Sequence, residues 1–273
     1  MKSILVPFYD YYDDDASASA VTTACHVAKI FGSYLEGLLV IEGENTAITG
    51  EADNSEPGRI AEQIESHFRA LVAREGISFQ PDDTSGPRAA WREMVGIESH
   101  VVAEYGRIFD LIVVRRAASH AANSWQHTYE AAIFESGRPV MLAPASRPEP
   151  LGSRIMVAWN GSTETARTIA LGLPILAKAS TVTILTVEGG AVAGPSGEDV
   201  CAYLRRHGIA ATAKIVEPEK RTVGKAILAV ADDFGADLLF KGAYTHTRFR
   251  QLIFGGATED IIKHAELPVL MAH

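Results

Sequence analysis

The segment FDLIVV, Phe109–Val114, recurs in the second half of the chain as ADLLFK, Ala236–Lys241. Both segments are short and rich in large apolar residues, and neither alternates between apolar and polar positions. Strands that are buried on both faces have this composition, which is typical of a parallel sheet. A second pair follows, because PVMLA at Pro139–Ala143 is matched by PVLMA at Pro268–Ala272. The two pairs predict that one arrangement of strands occurs twice.

The beginnings of the two halves also correspond. ILVPF at Ile4–Phe8 is matched by IMVAW at Ile155–Trp159, and a polar loop follows each of them. Each loop leads to a predicted helix of small residues, over Ala16–Phe31 in the first half and Glu164–Ala179 in the second. The next β-rich runs are Leu35–Ile41 and Thr181–Val187. Because the segments agree in their order, we expect two tandem copies of one domain.

A short linker separates the two copies. Residues 144–152 contain three prolines and a glycine, which end both helices and strands. The predicted domains therefore cover residues 1–146 and 153–273. Because the linker is short, we expect the two domains to pack closely.

Helical segments alternate with the apolar runs along each copy. Those predicted from the sequence include Ile60–Arg74, Met94–Tyr105, Glu198–Arg206 and Val223–Phe234. Alternating strands and helices predict an α/β fold, a doubly wound, five-stranded parallel sheet with helices on both faces. In the second copy the strands should begin near Arg154, Thr181, Ala211, Leu238 and Pro268. Ligands of such sheets bind beyond the carboxyl ends of the strands, so the loops after strands 1, 2 and 4 are the candidates.

Composition excludes several classes of function. The formal net charge is -9, which argues against a surface for nucleic acid. Cys25 and Cys201 are the only cysteines, and we expect both to be buried, unpaired thiols in helices of different halves. Met1 and Lys2 run directly into the first strand, so we expect no signal peptide, and no apolar run reaches the length of a membrane helix. These features predict a cytoplasmic protein.

The loop after the first strand of the second copy carries polar residues. Asn160 at the strand tip can reach a base or a ribose, and Gly161 allows a tight turn. Ser162 or Thr163 can cap the following helix. The alternative is an ordinary turn between strand and helix, with no ligand.

The loop after the fourth strand of the second copy is the more informative one. It reads GAYTHTRFRQLIFGGATED over Gly242–Asp260. Gly255 and Gly256 precede a predicted helix with Thr258 as its N-cap, and a small-residue turn at a helix N-terminus favours a phosphate. Nearby donors are His246, Arg248 and Arg250. The spacing matches neither the Walker pattern nor the dinucleotide fingerprint, and the alternative is that the glycines only shape the turn.

These segments resemble the universal stress protein family, and the chain resembles its tandem, two-domain members. The family has a five-stranded α/β domain of the Rossmann-like, HUP type, and its ATP-binding members carry Gly-x2-Gly-x9-Gly-Ser/Thr after strand 4. Here Gly242 begins the pattern, Thr245 stands in place of the second glycine, and Gly255 is followed by Gly256. Asn160 stands where ATP-binding members usually have Asp. The resemblance covers nearly the whole chain and is strongest from about residue 153 to 273.

The resemblance implies a cytoplasmic stress-response binding protein whose second domain binds ATP or another adenine nucleotide. Asn160 and Val187 would lie near the adenosine, Gly242 at the ribose or phosphates, and Gly255–Thr258 around the phosphates. The complete candidate set is Asn160, Gly161, Val187, Gly242, Thr245, His246, Gly255, Gly256, Ala257 and Thr258. The family also implies that the last strands, near Pro139 and Pro268, pair within one chain as a pseudo-dimer, and that two chains form a homodimer.

The first copy lacks the features of this loop. Its fourth strand runs into Arg115 and Arg116 without a glycine, and Trp125–Glu130, before its last helix, also has none. Strand 1 ends in the bulky segment Pro7–Asp10, so side chains should fill the space that a triphosphate needs. We expect no ATP in this domain. Arg115 and Arg116 are interpreted as solvated surface arginines, with an anion site as the alternative.

No pattern indicates catalysis or a metal site. The histidines lack metal-ligand spacing, and no Gly-x-Ser-x-Gly elbow is present. We expect the tryptophans to serve packing, with Trp159 at a strand tip as the best candidate for stacking. Two alternatives to a nucleotide-binding module stay open. One is a ligand-free interaction scaffold, and the other is a slow ATP hydrolase. The candidate acids for a hydrolase, Glu164 and Glu259, lie in first helical turns, where acidic residues are favoured in any case.

Overall fold

The computed structural model describes residues 1–8, 14–41, 56–80, 86–116, 124–146, 151–244 and 256–273. The chain divides into two compact units, Met1–Pro148 and Glu149–His273. Within the described residues, none of the helices has the length and apolar character needed to span a bilayer.

The first unit is an α/β domain with a parallel sheet. Its elements are β1 (Ser3–Pro7), α1 (Asp14–Phe31), β2 (Tyr34–Ile41), α2 (Glu56–Arg74), β3 (Ser78–Phe79), β4 (Arg88–Val95), α3 (Glu98–Tyr105), β5 (Leu111–Val114), α4 (Ser124–Glu135) and β6 (Val140–Leu142). The strand order is β3-β4-β2-β1-β5-β6. A two-residue strand, β3, thus lies at the edge of the five strands that correspond to the repeat.

The second unit repeats this arrangement without the edge strand. Its elements are β7 (Arg154–Ala158), α5 (Thr163–Leu176), β8 (Thr181–Val187), α6 (Gly197–Arg206), β9 (Ala211–Val216), α7 (Val223–Phe234), β10 (Leu238–Gly242), α8 (Ala257–His264) and β11 (Val269–Ala272). The strand order is β9-β8-β7-β10-β11. The strands begin at or within one residue of the predicted positions, and the predicted fold class is confirmed.

The register of the strands shows that the two units are built alike. Ile4 of β1 pairs with Leu111 of β5, and the matching residues Ile155 and Leu238 pair in the second unit. The aspartates directly before β5 and β10 accept equivalent backbone hydrogen bonds. Asp110 accepts a hydrogen bond from the backbone N–H of Ser3 at 3.2 Å, and Asp237 accepts one from the N–H of Arg154 at 2.9 Å.

Two sequence-based predictions of secondary structure in the first unit are wrong. Residues Trp125–Glu130, predicted to precede the last helix, lie within α4. The predicted helix Met94–Tyr105 is in fact the end of β4 followed by α3, with Gly96 at φ +157° between them. All eight residues of β4 pair in parallel with β2. This continuous pairing with a buried neighbour outweighs the helix-like spacing of the apolar residues, which local patterns alone cannot reveal.

The core lies on both faces of the strands, as the apolar runs predicted. Every residue of β5 and β10 is buried, and so are the cysteines Cys25 of α1 and Cys201 of α6. The prediction of two free, buried thiols is confirmed. Burial, followed by repulsion from Glu75, raises the pKa of Cys25 to about 12, so this thiol stays protonated at physiological pH.

Candidate functional site

A cleft opens at the carboxyl ends of the strands in the second unit. The strand order reverses between β7 and β10, and loops diverge from such a point to leave a crevice. The cleft holds about 340 Å³ of space, counting its opening to solvent. Its lining residues are Ala158, Trp159, Asn160, Leu185, Val187, Gly190, Val223, Ile227, Lys241 and Ala257.

The turn after β7 is organised by Asn160. Its Oδ1 accepts hydrogen bonds from the backbone N–H of Ser162 at 3.2 Å and from the hydroxyl of Thr165 at 2.7 Å. Ser162 is the N-cap of α5, as predicted, and its Oγ accepts from the N–H of Thr165 at 3.2 Å. The side-chain oxygen of Asn160 therefore fixes the start of α5 at the edge of the cleft.

Gly161 is required where two loops meet. It has φ +81°, and a Cβ at this position would lie 2.7 Å from the carbonyl oxygen of Val192. The N–H of Val192 donates to the carbonyl of Asn160 at 2.8 Å, and the indole N–H of Trp159 donates to the carbonyl of Pro195 at 2.8 Å. The loop after β8 thus closes over the turn. Trp159 is buried, so it packs in addition to lining the cleft.

Gly242 allows β10 to approach α5 closely. A Cβ at residue 242 would lie 2.5 Å from the backbone nitrogen of Thr165 and 2.9 Å from the carbonyl carbon of Glu164. Real Cβ atoms do not come this close to a backbone, so only glycine fits here. The role of Gly242 at a ribose or a phosphate stays a prediction.

The start of α8 differs from the prediction. The N-cap is Gly256, with an extended backbone and no side-chain cap, and Thr258 lies within the first turn. The prediction of Thr258 as N-cap is wrong, because its hydroxyl is engaged elsewhere. It accepts a hydrogen bond from Nζ of Lys241 at 2.7 Å.

Lys241 is the functional candidate that sequence reasoning missed. It is only 7% exposed, and its Nζ also donates to the carbonyl of Gly242 at 2.9 Å. Burial lowers its pKa to about 8, against a smaller opposing effect from the negative charge of Glu164. The signal in the sequence is a lysine at the end of the apolar run ADLLFK, which is buried on both faces.

Glu164 is the acidic group near this end of the sheet. Its Oε1 accepts from the hydroxyl of Thr163 at 3.0 Å, and its Oε2 is buried without a hydrogen-bond partner among the described residues. Burial works to raise its pKa, but hydrogen bonds from its own backbone N–H, Thr163 and Ser162 outweigh burial and lower the pKa. The other acid considered for hydrolysis, Glu259, is half exposed and pairs with Lys263.

The remaining candidate residues are only partly placed. Asn160, Val187 and Ala257 line the cleft, and Gly256 lies at the start of α8, where a Cβ would meet no described atom within 4 Å. The predicted site residues Thr245, His246 and Gly255, with Arg248 and Arg250, lie outside the described residues. In the ranges that the structure describes, no cluster of three His, Cys, Asp or Glu side chains could hold a metal ion.

The equivalent position in the first unit carries larger, buried side chains. Arg115 follows β5 where Gly242 ends β10, and Arg115 and Arg116 are buried, at 9% and 8% exposure. The interpretation of both as solvated surface arginines is wrong, because they lie at the carboxyl end of a central strand. Phe8, which follows β1, packs against Phe68 and Trp91 with ring centroids 5.5 and 6.0 Å apart.

Comparison with known proteins identifies the second unit. Residues 153–273 match the family model described as the universal stress protein family. No protein with a curated description matches the chain significantly.

Solved structures resemble the whole chain. A universal stress protein from Archaeoglobus fulgidus DSM 4304 has a TM-score of 0.72 at 17% identity, over 99% of this chain and 95% of its own. A putative universal stress protein from Pseudomonas aeruginosa UCBPP-PA14 has a TM-score of 0.54 at 17% identity, over 99% and 92%. A universal stress protein in complex with cAMP matches 53% of this chain and 98% of its own at 15% identity, with a TM-score of 0.36, too low to bear on the ligand. These similarities show the fold of both units.

Proposed function

We propose that this chain, whose residues 153–273 form a domain of the universal stress protein family, is a stress-response binding protein that takes an adenine nucleotide in its second domain. One observation carries the proposal. The cleft at the reversal of strand order combines an apolar wall with the buried ammonium of Lys241 and the first turn of α8.

The two sides of the cleft suit the two parts of a nucleotide. Leu185, Val187 and Ile227 offer an apolar surface for a base. Ala257 opens α8, whose first backbone N–H groups and dipole favour a phosphate. Gly256 presents no side chain in front of them. The first domain would then serve as a scaffold, because the buried Arg115 takes the place of Gly242.

Binding rather than hydrolysis is the activity that these residues support. A hydrolase needs a carboxylate or a histidine placed to activate water. Glu164 is held by Thr163 and Ser162 with a lowered pKa, which makes it a weak base, and Glu259 pairs with Lys263. We therefore expect no useful rate of phosphate release. The proposal also includes a cytoplasmic location, pairing of the last strands and a homodimer. Sedimentation of the purified chain tests the homodimer.

Calorimetric titration of ATP, ADP and AMP into the full chain tests the proposal. Gly256→Trp should raise the Kd at least about tenfold, because its indole would project into open space at the helix start. Gly256→Ala is the matched control and should stay within about threefold, since its Cβ would lie more than 4 Å from every described atom.

Three results would contradict the proposal in different ways. Absence of binding by every nucleotide leaves a ligand-free scaffold. Equal affinities for the Trp variant and the wild type move the site away from α8. Phosphate release that the Trp variant abolishes makes the protein a hydrolase.

A further inference from the structure

Lys241 is a buried cation whose attraction to the negative charge of Glu164 is smaller than the cost of its burial. Its side chain is almost fully enclosed, yet no carboxylate lies within 4.0 Å of its Nζ in the described part of the chain. Burying an ammonium without a counter-ion is costly, and proteins normally pair such a charge. Among the described residues, no ion pair therefore compensates this charge.

One of the three N–H groups of the Lys241 ammonium has no hydrogen-bond partner among the described residues. Its ammonium has three N–H groups, of which one goes to the carbonyl of Gly242 and one to the hydroxyl of Thr258. The third has no partner in the described residues. Lys241 lines the cleft together with Ala257, the first residue of α8. Lys241 and the amide end of the helix therefore border the same cavity.

We propose that Lys241 is the built-in counter-ion of this cleft, which binds a phosphate-type anion directly and without a divalent cation. The choice of nucleotides as ligands rests on the proposed function, whereas the charge pairing does not. A bound phosphate oxygen would accept the third N–H of Lys241 and compensate the buried charge. Among the described residues, no group of three His, Cys, Asp or Glu side chains could hold a divalent cation beside that phosphate, so the ammonium supplies the positive charge.

The opposing interpretation is that Lys241 only ties β10 to α8 through Thr258. A purely structural lysine would leave ligand affinity independent of its own protonation. The two roles therefore differ in how binding depends on pH. Burial lowers the pKa of Lys241 to about 8, so the counter-ion role requires binding to weaken as the pH rises through that value.

The first experiment uses the wild-type full chain with ADP and with inorganic pyrophosphate. Titrations in EDTA and in excess Mg²⁺ should give Kd values within about threefold of each other. In EDTA, affinity should fall at least about tenfold between pH 7.5 and pH 9.5. The terminal phosphate of ADP is already ionised over that range, because its second pKa is near 6, so the loss of ADP affinity reports on the protein.

The second experiment compares two variants with the same chemical change. Lys241→Met should weaken binding of both anions at least about thirtyfold and abolish the dependence on pH. Lys178→Met removes an exposed lysine just after α5 and should bind as the wild type does. If Lys241→Met does not fold by circular dichroism, the metal and pH series on the wild type still decide.

The outcomes separate this inference from the proposed function. Binding of ADP that requires Mg²⁺, or that is constant from pH 7.5 to 9.5, overturns the counter-ion role and leaves the nucleotide site standing. Binding of pyrophosphate but of no nucleotide in EDTA, with the expected pH dependence, keeps the counter-ion role and overturns the nucleotide proposal. Absence of binding by either anion overturns both.

Discussion

The two domains share a backbone but differ in what stands at the end of their fourth strand. The register of the sheets places Val114 and Arg115 of the first domain where the second has Lys241 and Gly242. In the first domain the chain leaves β5 with a buried arginine, whereas in the second a glycine brings β10 against α5. Two adjacent positions therefore distinguish the end of β5, which carries a buried arginine, from the end of β10, which borders the cleft.

The neighbouring strands β2 and β8 also differ in their buried polar residues. Glu36 of β2 is buried and accepts hydrogen bonds from the hydroxyl of Tyr105 at 2.8 Å and from Nε of Arg92 at 3.1 Å. Burial, followed by this hydrogen bond, raises the pKa of Tyr105 to about 12. Thr183 occupies the equivalent position in β8. The buried acid of β2 is thus paired within the first domain, while the Lys241 ammonium of the second has no ionic partner within 4.0 Å among the described residues.

The largest effect is expected when the second domain receives the residue of the first. Gly242→Arg should lower the free energy of unfolding by about 4 kcal/mol, because even its Cβ would overlap the backbone of Thr165. Urea unfolding followed by circular dichroism measures the change. Gly256→Arg is the control and should stay within about 1 kcal/mol, since the space beside Gly256 is open. Equal losses for the two variants would mean that close approach does not explain Gly242.

A smaller, pH-dependent effect is expected when Lys241 is made apolar, as Val114 is. The folded pKa of about 8 lies below the ordinary 10.5, so between these values the unfolded chain holds more protons than the folded one. As the pH rises from 8 to 10.5, the free energy of unfolding of the wild type should therefore increase by on the order of 3 kcal/mol relative to that of Lys241→Met. Below pH 8, the difference between the two proteins should stay constant. Urea unfolding of both proteins across this range checks it, and parallel stability curves would rule out a buried charge.

The smallest effect concerns the turn after β7. Asn160→Ala removes the oxygen that accepts from Ser162 and Thr165 and should cost about 1 kcal/mol. Asn160→Asp keeps both acceptors, adds a negative charge at the start of α5, and should be within about 0.5 kcal/mol of the wild type. Thermal unfolding compares the three proteins. An Asp variant as unstable as the Ala variant would show that Asn160 acts through its amide nitrogen.

The fold could be predicted because its signals are local. Buried strands such as Ile155–Trp159 and the cap at Ser162 depend on residues near each other in sequence, and the repeat doubled each signal. Lys241 could not be assigned a role this way, because its partner Thr258 lies 17 residues further on and meets it only across the sheet end. The predictions that Arg115 is exposed and that a helix begins at Met94 were wrong for the same reason. Tertiary packing, which a linear pattern does not contain, decided both.

The aspartate before each fourth strand has a practical consequence for dissecting the chain. Asp237 accepts hydrogen bonds from the backbone N–H groups of Gly152, Ser153 and Arg154, at 2.9, 3.0 and 2.9 Å. A shortened chain that started at Arg154 would lose two of these bonds and leave a carboxylate poorly solvated beside the sheet. An isolated second domain should therefore retain the residues before Gly152, so that the cut falls in the proline-rich linker.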